Sequence, residues 1–360
     1  MEPVLWQGAH KLQAADLEPS PAWFPLETVD PRTLGFLWLD EVAYRAASFL
    51  DQRLLRPEAV RGTLGLEPAQ QIAARLPVRL HYIFHTGHVG STLISRLIGA
   101  QRAFFALREP ALLRAAALRP APGDAGVPAV PELRDTVALL SRTWRAEQRA
   151  VVKVTSFVNE LAGELLACSE RARTVFVYVE PVIYIQSILA GPNSRIEART
   201  LAPLRLRRLV RRLCAPDWRA DPSGEGELIA MSWLCEVLSF YQSCSKSAVR
   251  ALWMDFDAFL REPAASLLTI GRALGSEPAP SEIEALVRGP IMQRYSKAPE
   301  FAYDAGLRRE LLQGAAASSG DQITRGLRWL ESIAHQYQPA AAALEFAQRG
   351  ARGGAAGIHT

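Results

Sequence analysis

The sequence has few cysteines, no long apolar run and no internal repeat. Its four cysteines show no C-x-x-C spacing, so they suggest neither a zinc ribbon nor a disulfide scaffold, and we expect reduced, mostly buried thiols. The amino terminus, MEPVLWQGAHKL, lacks the basic region and apolar core of a secretory signal, and no segment is apolar for long enough to cross a bilayer. We therefore expect a cytoplasmic protein with no membrane partner.

Neither sign of charge dominates the chain. Its 360 residues include 41 basic and 37 acidic side chains, which gives a net charge of +4, and 49% are hydrophobic, as is ordinary for a globular protein. A mild basic excess suits an anionic small ligand, whereas nucleic-acid binding usually requires a concentrated basic patch. We expect a small-molecule or peptide substrate and no nucleic acid; the composition does not indicate an oligomeric state.

The most informative stretch is HYIFHTGHVGSTLISRLIG, residues 81–99. Its apolar start predicts a buried strand, a glycine-containing turn follows, and the apolar spacing after Ser91 predicts a helix. Such a loop between strand and helix places backbone N–H groups and the positive end of the helix dipole where an anion can bind. The phosphate-binding motif G-x-x-x-x-G-K-[ST] requires a lysine, but this chain has none between Lys11 and Lys153.

Apolar runs alternate with helical patterns further along the chain. The predicted strands lie at 104–107, 151–157, 174–179 and 251–256, and the predicted helices lie at 132–147, 160–168, 228–241 and 263–274. This alternation predicts an α/β fold, with a parallel sheet flanked by helices and extra helices at both ends of the chain.

Composition divides the chain into four predicted segments. They are an amino-terminal helical cover over 1–75, an α/β core over 76–275, a helical extension over 276–338 and an Ala/Gly-rich tail over 339–360 with a disordered end. In the cover, apolar spacing over 35–55 predicts one helix. In the core, 119–131 holds four prolines and two glycines, which predicts a mobile surface loop.

The loop HTGHVGSTL resembles the 5′-phosphosulfate loop of sulfotransferases that use 3′-phosphoadenosine 5′-phosphosulfate (PAPS). The pattern of that family is roughly T/P-x-R/K-S/C-G-S/T-S/T followed by a helix, and its fold is related to that of P-loop nucleotide-binding proteins. The resemblance covers about residues 80–275 and implies PAPS as the donor without a metal, because backbone N–H groups and basic side chains neutralise the sulfonate. The loop residues that it assigns to donor binding are Thr86, Gly87, His88, Val89, Gly90, Ser91 and Thr92.

Three further segments carry the same resemblance. Glu109 lies 21 residues after His88 and looks like the catalytic glutamate of tyrosylprotein sulfotransferases. Lys153, in VVKVTSF, resembles the strand-end lysine that stabilises the developing charge in those enzymes, and a lysine within an apolar strand needs a partner in any case. Ser187 follows Val179 by eight positions and resembles the serine of the family's 3′-phosphate site.

The resemblance implies a mechanism and also exposes two departures. An acceptor oxygen would lose a proton to Glu109 and attack in line, while Lys153 stabilises the leaving oxygen. His88 stands where the family loop has Arg or Lys; if charged, it would complement a sulfonate. Val179 stands where the 3′-phosphate site has Arg, and Arg195 and Arg199 are our candidates for the replacement.

Several other interpretations stay open from the residues alone. Glu109 could be a solvated strand-end residue, and Ser187 a small helix residue. The basic run 205–212 is typical of a solvated helix face, and the cluster 294–297 could lie near the site or in a surface loop. His81 and His85 share one strand face, so a metal site is conceivable, although no acidic or cysteine ligand accompanies them.

The leading prediction is a sulfotransferase that moves a sulfonate from PAPS to a hydroxyl, or an amine, of a small metabolite or peptide. One alternative is a diverged protein of the same fold that binds another phosphorylated ligand without transfer. Another is a phosphotransferase, which is disfavoured by the missing loop lysine and by the lack of an evident Mg²⁺-holding acid.

Overall fold

The structure is a computed structural model, and it describes residues 3–18, 20–119, 131–169, 171–245, 251–294, 296, 302, 304–353 and 356–357. Its strands are β1 (His10–Lys11), β2 (Trp23–Asp30), β3 (Thr33–Trp38), β4 (Arg61–Gly65), β5 (Leu80–His85), β6 (Phe104–Arg108), β7 (Arg149–Lys153), β8 (Thr174–Tyr178), β9 (Ala251–Asp255) and β10 (Ala356–Gly357). The first helices are α1 (Ala14–Leu17), α2 (Glu41–Ala46), α3 (Leu66–Arg75), α4 (Ser91–Ala100), α5 (Ala111–Ala117), α6 (Leu133–Leu140), α7 (Ala162–Ala167) and α8 (Pro181–Leu189). The later helices are α9 (Pro192–Arg212), α10 (Glu225–Ser245), α11 (Phe256–Arg261), α12 (Pro263–Ala273), α13 (Pro280–Arg288), α14 (Ala305–Ser318), α15 (Gly320–Gln336) and α16 (Gln338–Gly353).

A mainly parallel sheet forms the centre of the molecule. Its strand order is β10-β9-β8-β5-β7-β6, with β10 as a two-residue antiparallel edge and the other five strands parallel. The predicted α/β fold with a parallel sheet is therefore confirmed. After β5 the chain passes to β6 on one side, and it later crosses to β8 on the other, so β5 is the point where the strand order reverses. In open α/β sheets, ligands bind outside the carboxyl ends of the strands at such a point.

Helices cover both faces of this sheet. On one face, Phe240 of α10 stacks on Phe176 with ring centroids 4.5 Å apart, and it also contacts Phe84 and Trp253. On the other face, α4 lies against β5, β6 and β7, and α12 lies against β8 and β9. Because both faces are covered, β5 and β8 are buried along their whole length, which explains why their sequences read as continuous apolar runs.

The amino-terminal segment contains a second, four-stranded sheet of order β1-β4-β3-β2. The helix predicted over 35–55 is wrong, because this stretch contains the end of β3, the short helix α2 and a 3₁₀ turn at Gln52–Leu54. Leu34 and Phe36 of β3 pack into a small cluster under this sheet, whereas Leu37 packs into the main core. A strand buried on both faces lacks polar alternation, so its apolar run imitates a helical pattern. The cover over 1–75 is accordingly built on a sheet as well as on helices.

Other predicted boundaries also differ from the structure. The helix over 132–147 ends early, at Leu140, and the strand over 151–157 begins at Arg149 and ends at Lys153 because a 3₁₀ turn follows at Ser156–Leu161. The tail is helical through Gly353, and its small residues Ala340, Ala343 and Ala347 pack into the main core. Most of the predicted loop at 119–131 lies outside the described residues, as do 354–355 and 358–360.

Two further expectations were reduced, mostly buried thiols and no membrane-crossing segment. Cys235 and Cys244 are buried, Cys168 is half-buried and Cys214 is exposed, and all four are free thiols. Among the described helices, none combines the length and the apolar character needed to cross a bilayer.

Candidate functional site

The loop between β5 and α4 turns sharply through three left-handed residues. Gly87, His88 and Gly90 have φ angles of +94°, +54° and +68°. No side chain of the described residues caps the N-terminus of α4, which leaves the N–H groups of its first turn available to an anion. Gly90 is required for a second reason: a Cβ there would lie 2.0 Å from the ring of Phe256.

His85 fixes the start of this loop to the neighbouring strand. Its Nδ1 accepts a hydrogen bond from the N–H of Gly87 (2.9 Å), so the ring proton is on Nε2, which donates to the carbonyl of Val154 (2.8 Å). Asn159 donates to the carbonyl of His85 (2.9 Å). The imidazole is therefore neutral and has a positioning role between loop and sheet.

A buried polar network supports the loop from below. Arg205 donates to the Glu236 carboxylate (2.8 Å) and to the Ser156 hydroxyl (3.1 Å), and Tyr184 donates to the carbonyl of Thr86 (3.2 Å). The prediction of a solvated face for 205–212 is thus wrong for Arg205, and also for Arg208, which donates to backbone carbonyls of other elements. Sequence reasoning missed these residues because a buried arginine with a distant carboxylate looks like any other arginine of a basic helix.

Glu109 and Lys153 form an ion pair beside the loop, at the carboxyl ends of two neighbouring strands. Arg108 pairs with Lys153 in the β6–β7 register, so the next residue, Glu109, reaches the end of β7, where its N–H donates to the carbonyl of Lys153 (2.7 Å). The Lys153 ammonium donates to one oxygen of Glu109, and Thr155 donates to the other (3.0 Å). Both side chains are buried, with 1% of Lys153 and 7% of Glu109 exposed.

Two arginines fix the end of β6 against the amino-terminal segment. The buried guanidinium of Arg108 donates to the carbonyls of Ala47 (2.7 Å) and Tyr44, and burial, assisted by the charge of Arg96, lowers its pKa to about 9. Arg96 of α4 donates to the carbonyl of Ala46 (3.2 Å) near the same helix end. Sequence reasoning overlooked both; the one available signal was that Arg108 directly precedes Glu109.

His88 points towards helix α9. Its Nε2 lies 3.2 Å from a carboxylate oxygen of Glu197, and its Nδ1 lies 3.1 Å from the hydroxyl of Ser194. An imidazole held by a carboxylate is favoured in its charged form, which would suit the anion expected at the loop.

A cavity of about 640 Å³ adjoins the loop and has the size of a small-molecule site. Lys153, Ser91 and Thr92 line it, and neither loop hydroxyl has a hydrogen-bond partner in the described parts of the chain. The other predicted site residues that line it are His88, Val89, Gly90 and Ser187. Its other lining residues include apolar side chains, the cations Arg294 and Arg308, and the acid Asp304, whereas Glu109 is not among them.

The residues expected at a second phosphate site lie apart or are already engaged. Val179 is buried in the core, and the Ser187 hydroxyl donates to the carbonyl of Ile183 in its own helix (2.8 Å). Arg195 and Arg199 both form salt bridges with Glu225, at 2.5 and 2.7 Å. Of the cluster 294–297, Tyr295 and Lys297 lie outside the described residues.

The two histidines considered for a metal site lie at opposite ends of β5. His85 lies beside the loop, whereas His81 lies at the amino-terminal edge of the sheet, where burial lowers its pKa to about 4. Within the described residues, no group of three or more His, Cys, Asp or Glu side chains is placed to hold a metal ion.

Comparison with known proteins yields a distant likeness among solved structures. No family model and no curated protein matches the chain. Among solved structures, the sulfotransferase domain from the curacin biosynthetic pathway aligns over 68% of this chain and 97% of its own, with 13% identity and a TM-score of 0.39. A likeness this distant carries no argument about family or activity, so the α/β assignment rests on the sheet described above.

Proposed function

We propose that this chain is a sulfotransferase that moves a sulfonate from PAPS to a hydroxyl, or an amine, of a small metabolite or peptide. The observation that carries the proposal is the position of Lys153. Its ammonium, paired with Glu109, lines the same cavity as the unpartnered hydroxyls of Ser91 and Thr92. A cation and an acid beside an anion-binding loop are the groups that in-line transfer of an anionic group requires.

PAPS would supply the sulfonate and a stable nucleotide leaving group. The N–H groups of the first turn of α4 and the hydroxyls of Ser91 and Thr92 would hold the anionic end of the donor. Lys153 would stabilise charge on the leaving oxygen, and His88, if charged, would add a second positive group beside the sulfonate. Glu109 would take the acceptor proton once it exchanges its contact with Lys153 for one with the acceptor.

The hydrogen-bonding groups at the loop fit one sulfonate or phosphate, but the groups expected to bind the 3′-phosphate of PAPS are already engaged. Arg195 is held by Glu225, and the Ser187 hydroxyl has used its proton within its own helix. Arg294 and Arg308 also line the cavity, and Arg308 is likewise held by a carboxylate, that of Asp257, at 2.6 Å. This observation supports a second candidate function, in which the same fold binds a different phosphorylated ligand without transfer.

A thermal-shift titration with 3′,5′-adenosine bisphosphate, ADP and ATP tests the proposal. A ligand at 100 times its Kd stabilises the folded state by roughly 2.7 kcal/mol, which is readily measured. Stabilisation by the bisphosphate alone supports the sulfotransferase; no response to any nucleotide supports the second candidate; a response only to ATP with Mg²⁺ favours a phosphotransferase.

A pair of serine variants locates the binding. Ser91→Ala should weaken the response to the bisphosphate, because it removes a hydroxyl that has no other partner. Ser187→Ala should leave it nearly unchanged, because that hydroxyl donates to its own helix. The opposite order would contradict the assignment of the anion to the loop.

A further inference from the structure

A large basic cleft lies at the edge of the main sheet opposite the loop. It has a volume of about 1840 Å³ and is open at the amino-terminal ends of the parallel strands. Arg79 directly precedes β5, Arg149 begins β7, and Arg173 directly precedes β8. With Arg171, these residues define what we call the arginine cleft.

The strand register sets the spacing of these charges. Leu80 pairs with Ala150, so Arg79 and Arg149 stand side by side on adjacent strands, roughly 4.8 Å apart along the sheet. Arg173 follows on the next strand over, level with His81. Three arginine side chains are therefore attached to the amino-terminal ends of three adjacent strands of one sheet.

The acids described in the cleft pair with arginines elsewhere. The two acids among its described lining residues are Glu18, which pairs with Arg75 at 2.7 Å, and Glu147, which lies 3.9 Å from Arg102. No salt bridge joins any of the four cleft arginines to an acid in the parts of the chain that the structure describes. The pKa of His81 reflects this positive charge: burial lowers it most, and the charges of Arg149 and Arg173 lower it further.

The lining chemistry narrows the class of ligand. Guanidinium groups bind carboxylate and phosphate oxygens with paired hydrogen bonds. The volume exceeds the usual range for a small-molecule pocket, which indicates a chain-like ligand. No Phe, Tyr or Trp is among the described lining residues, so the stacking platform that single-stranded nucleic acids use is missing. We propose that the arginine cleft binds an acidic segment of a partner polypeptide.

Fluorescence anisotropy with a short labelled peptide of alternating Asp and Glu tests this proposal. The comparison ligands are a peptide of alternating Asn and Gln and an oligothymidylate of equal charge. The test protein carries Arg79→Gln and Arg149→Gln, since neither side chain has a hydrogen-bond or ion-pair partner among the described residues. The control carries Arg56→Gln and Arg207→Gln, which remove two exposed charges elsewhere.

The acidic peptide should bind the wild type, with affinity that falls as salt rises, and the test protein should bind it at least about tenfold more weakly. The control should bind like the wild type. Absence of binding at low salt, equal loss in the control, or tighter binding of the oligothymidylate would each overturn the proposal. If the double variant misfolds, as judged by circular dichroism, Arg171→Gln alone provides the test, because this exposed residue lies outside every strand.

Discussion

Replacing either Glu109 or Lys153 alone should lower the free energy of unfolding by about as much as replacing both. Lys153→Met leaves a buried carboxylate that still accepts from Thr155 but has lost its ammonium, and Glu109→Gln leaves a buried ammonium that has lost its carboxylate. Removing one partner of a buried pair costs roughly 3–5 kcal/mol, because the other charge stays desolvated. The double variant buries neither charge, so we expect it to lose about as much as one single variant and not the sum of both.

Urea unfolding of the four proteins measures this non-additivity directly. The matched control is the exposed pair Arg288–Glu284, for which a coupling of about 0.5 kcal/mol or less is expected. If the effects at Glu109 and Lys153 add to within about 0.5 kcal/mol, the two charges are not coupled and our view of the site is wrong. Turnover supplies an independent measurement: Glu109→Gln should abolish it without loss of nucleotide binding, and unchanged turnover would remove Glu109 from the proposed mechanism.

Three further predictions follow from single contacts. Gly90→Ala should lower the free energy of unfolding by roughly 2–5 kcal/mol, because the residue has a left-handed φ and its new Cβ would clash with Phe256. Gly8→Ala, also at a left-handed φ but in open space, should cost about 1–2 kcal/mol. Equal losses would show that the clash does not matter. Burial raises the pKa of Asp255 from 3.8 to about 6, so its contribution to stability falls as pH rises between these values. Asp255→Asn, which keeps the helix cap, should therefore gain stability over the wild type across that window and hold the gain at higher pH, as measured by urea midpoints. Arg205→Met should cost about 3–5 kcal/mol by leaving a buried carboxylate unpaired, and Arg207→Gln on the same helix should change stability by less than about 0.5 kcal/mol.

The main sheet was predictable because its strands obey one simple rule. A parallel strand covered by helices on both faces is apolar throughout, and the runs at Tyr82–Phe84 and Thr174–Val179 have that character. The same rule fails for β3, which lies between two separate clusters and is equally apolar, because its length and spacing also suit a helix. Local pattern therefore identified the strands of the central sheet and missed the amino-terminal one.

In the candidate site too, local features could be predicted from the sequence and contacts between distant residues could not. The loop was recognisable because its glycines and hydroxyl residues are contiguous in sequence. Glu109 and Lys153 were found by resemblance, but their contact cannot be read from the sequence, because it depends on the β6–β7 register across a separation of 44 positions. Arg205 could not be predicted to be buried, since its partner carboxylate lies 31 residues away on another helix.

The amino-terminal segment does more than cover the core, because it helps to hold Glu109 in place. Glu109 has a φ of +51°, a left-handed conformation that costs a non-glycine residue roughly 1–2 kcal/mol and therefore needs support from its surroundings. On one side that support is the backbone bond to Lys153. On the other side, the N–H of Leu50 donates to the carbonyl of Arg108 (2.8 Å), and the carbonyl of Leu50 accepts from the N–H of Ala111 (3.0 Å), so the chain is held both before and after Glu109. Leu50 belongs to the segment that also receives the Arg108 guanidinium, so the direction of the Glu109 side chain is set jointly by the main sheet and the amino-terminal segment. We therefore expect a core lacking residues 1–75 to keep the loop before α4 but to lose the orientation of Glu109 that the proposed transfer requires.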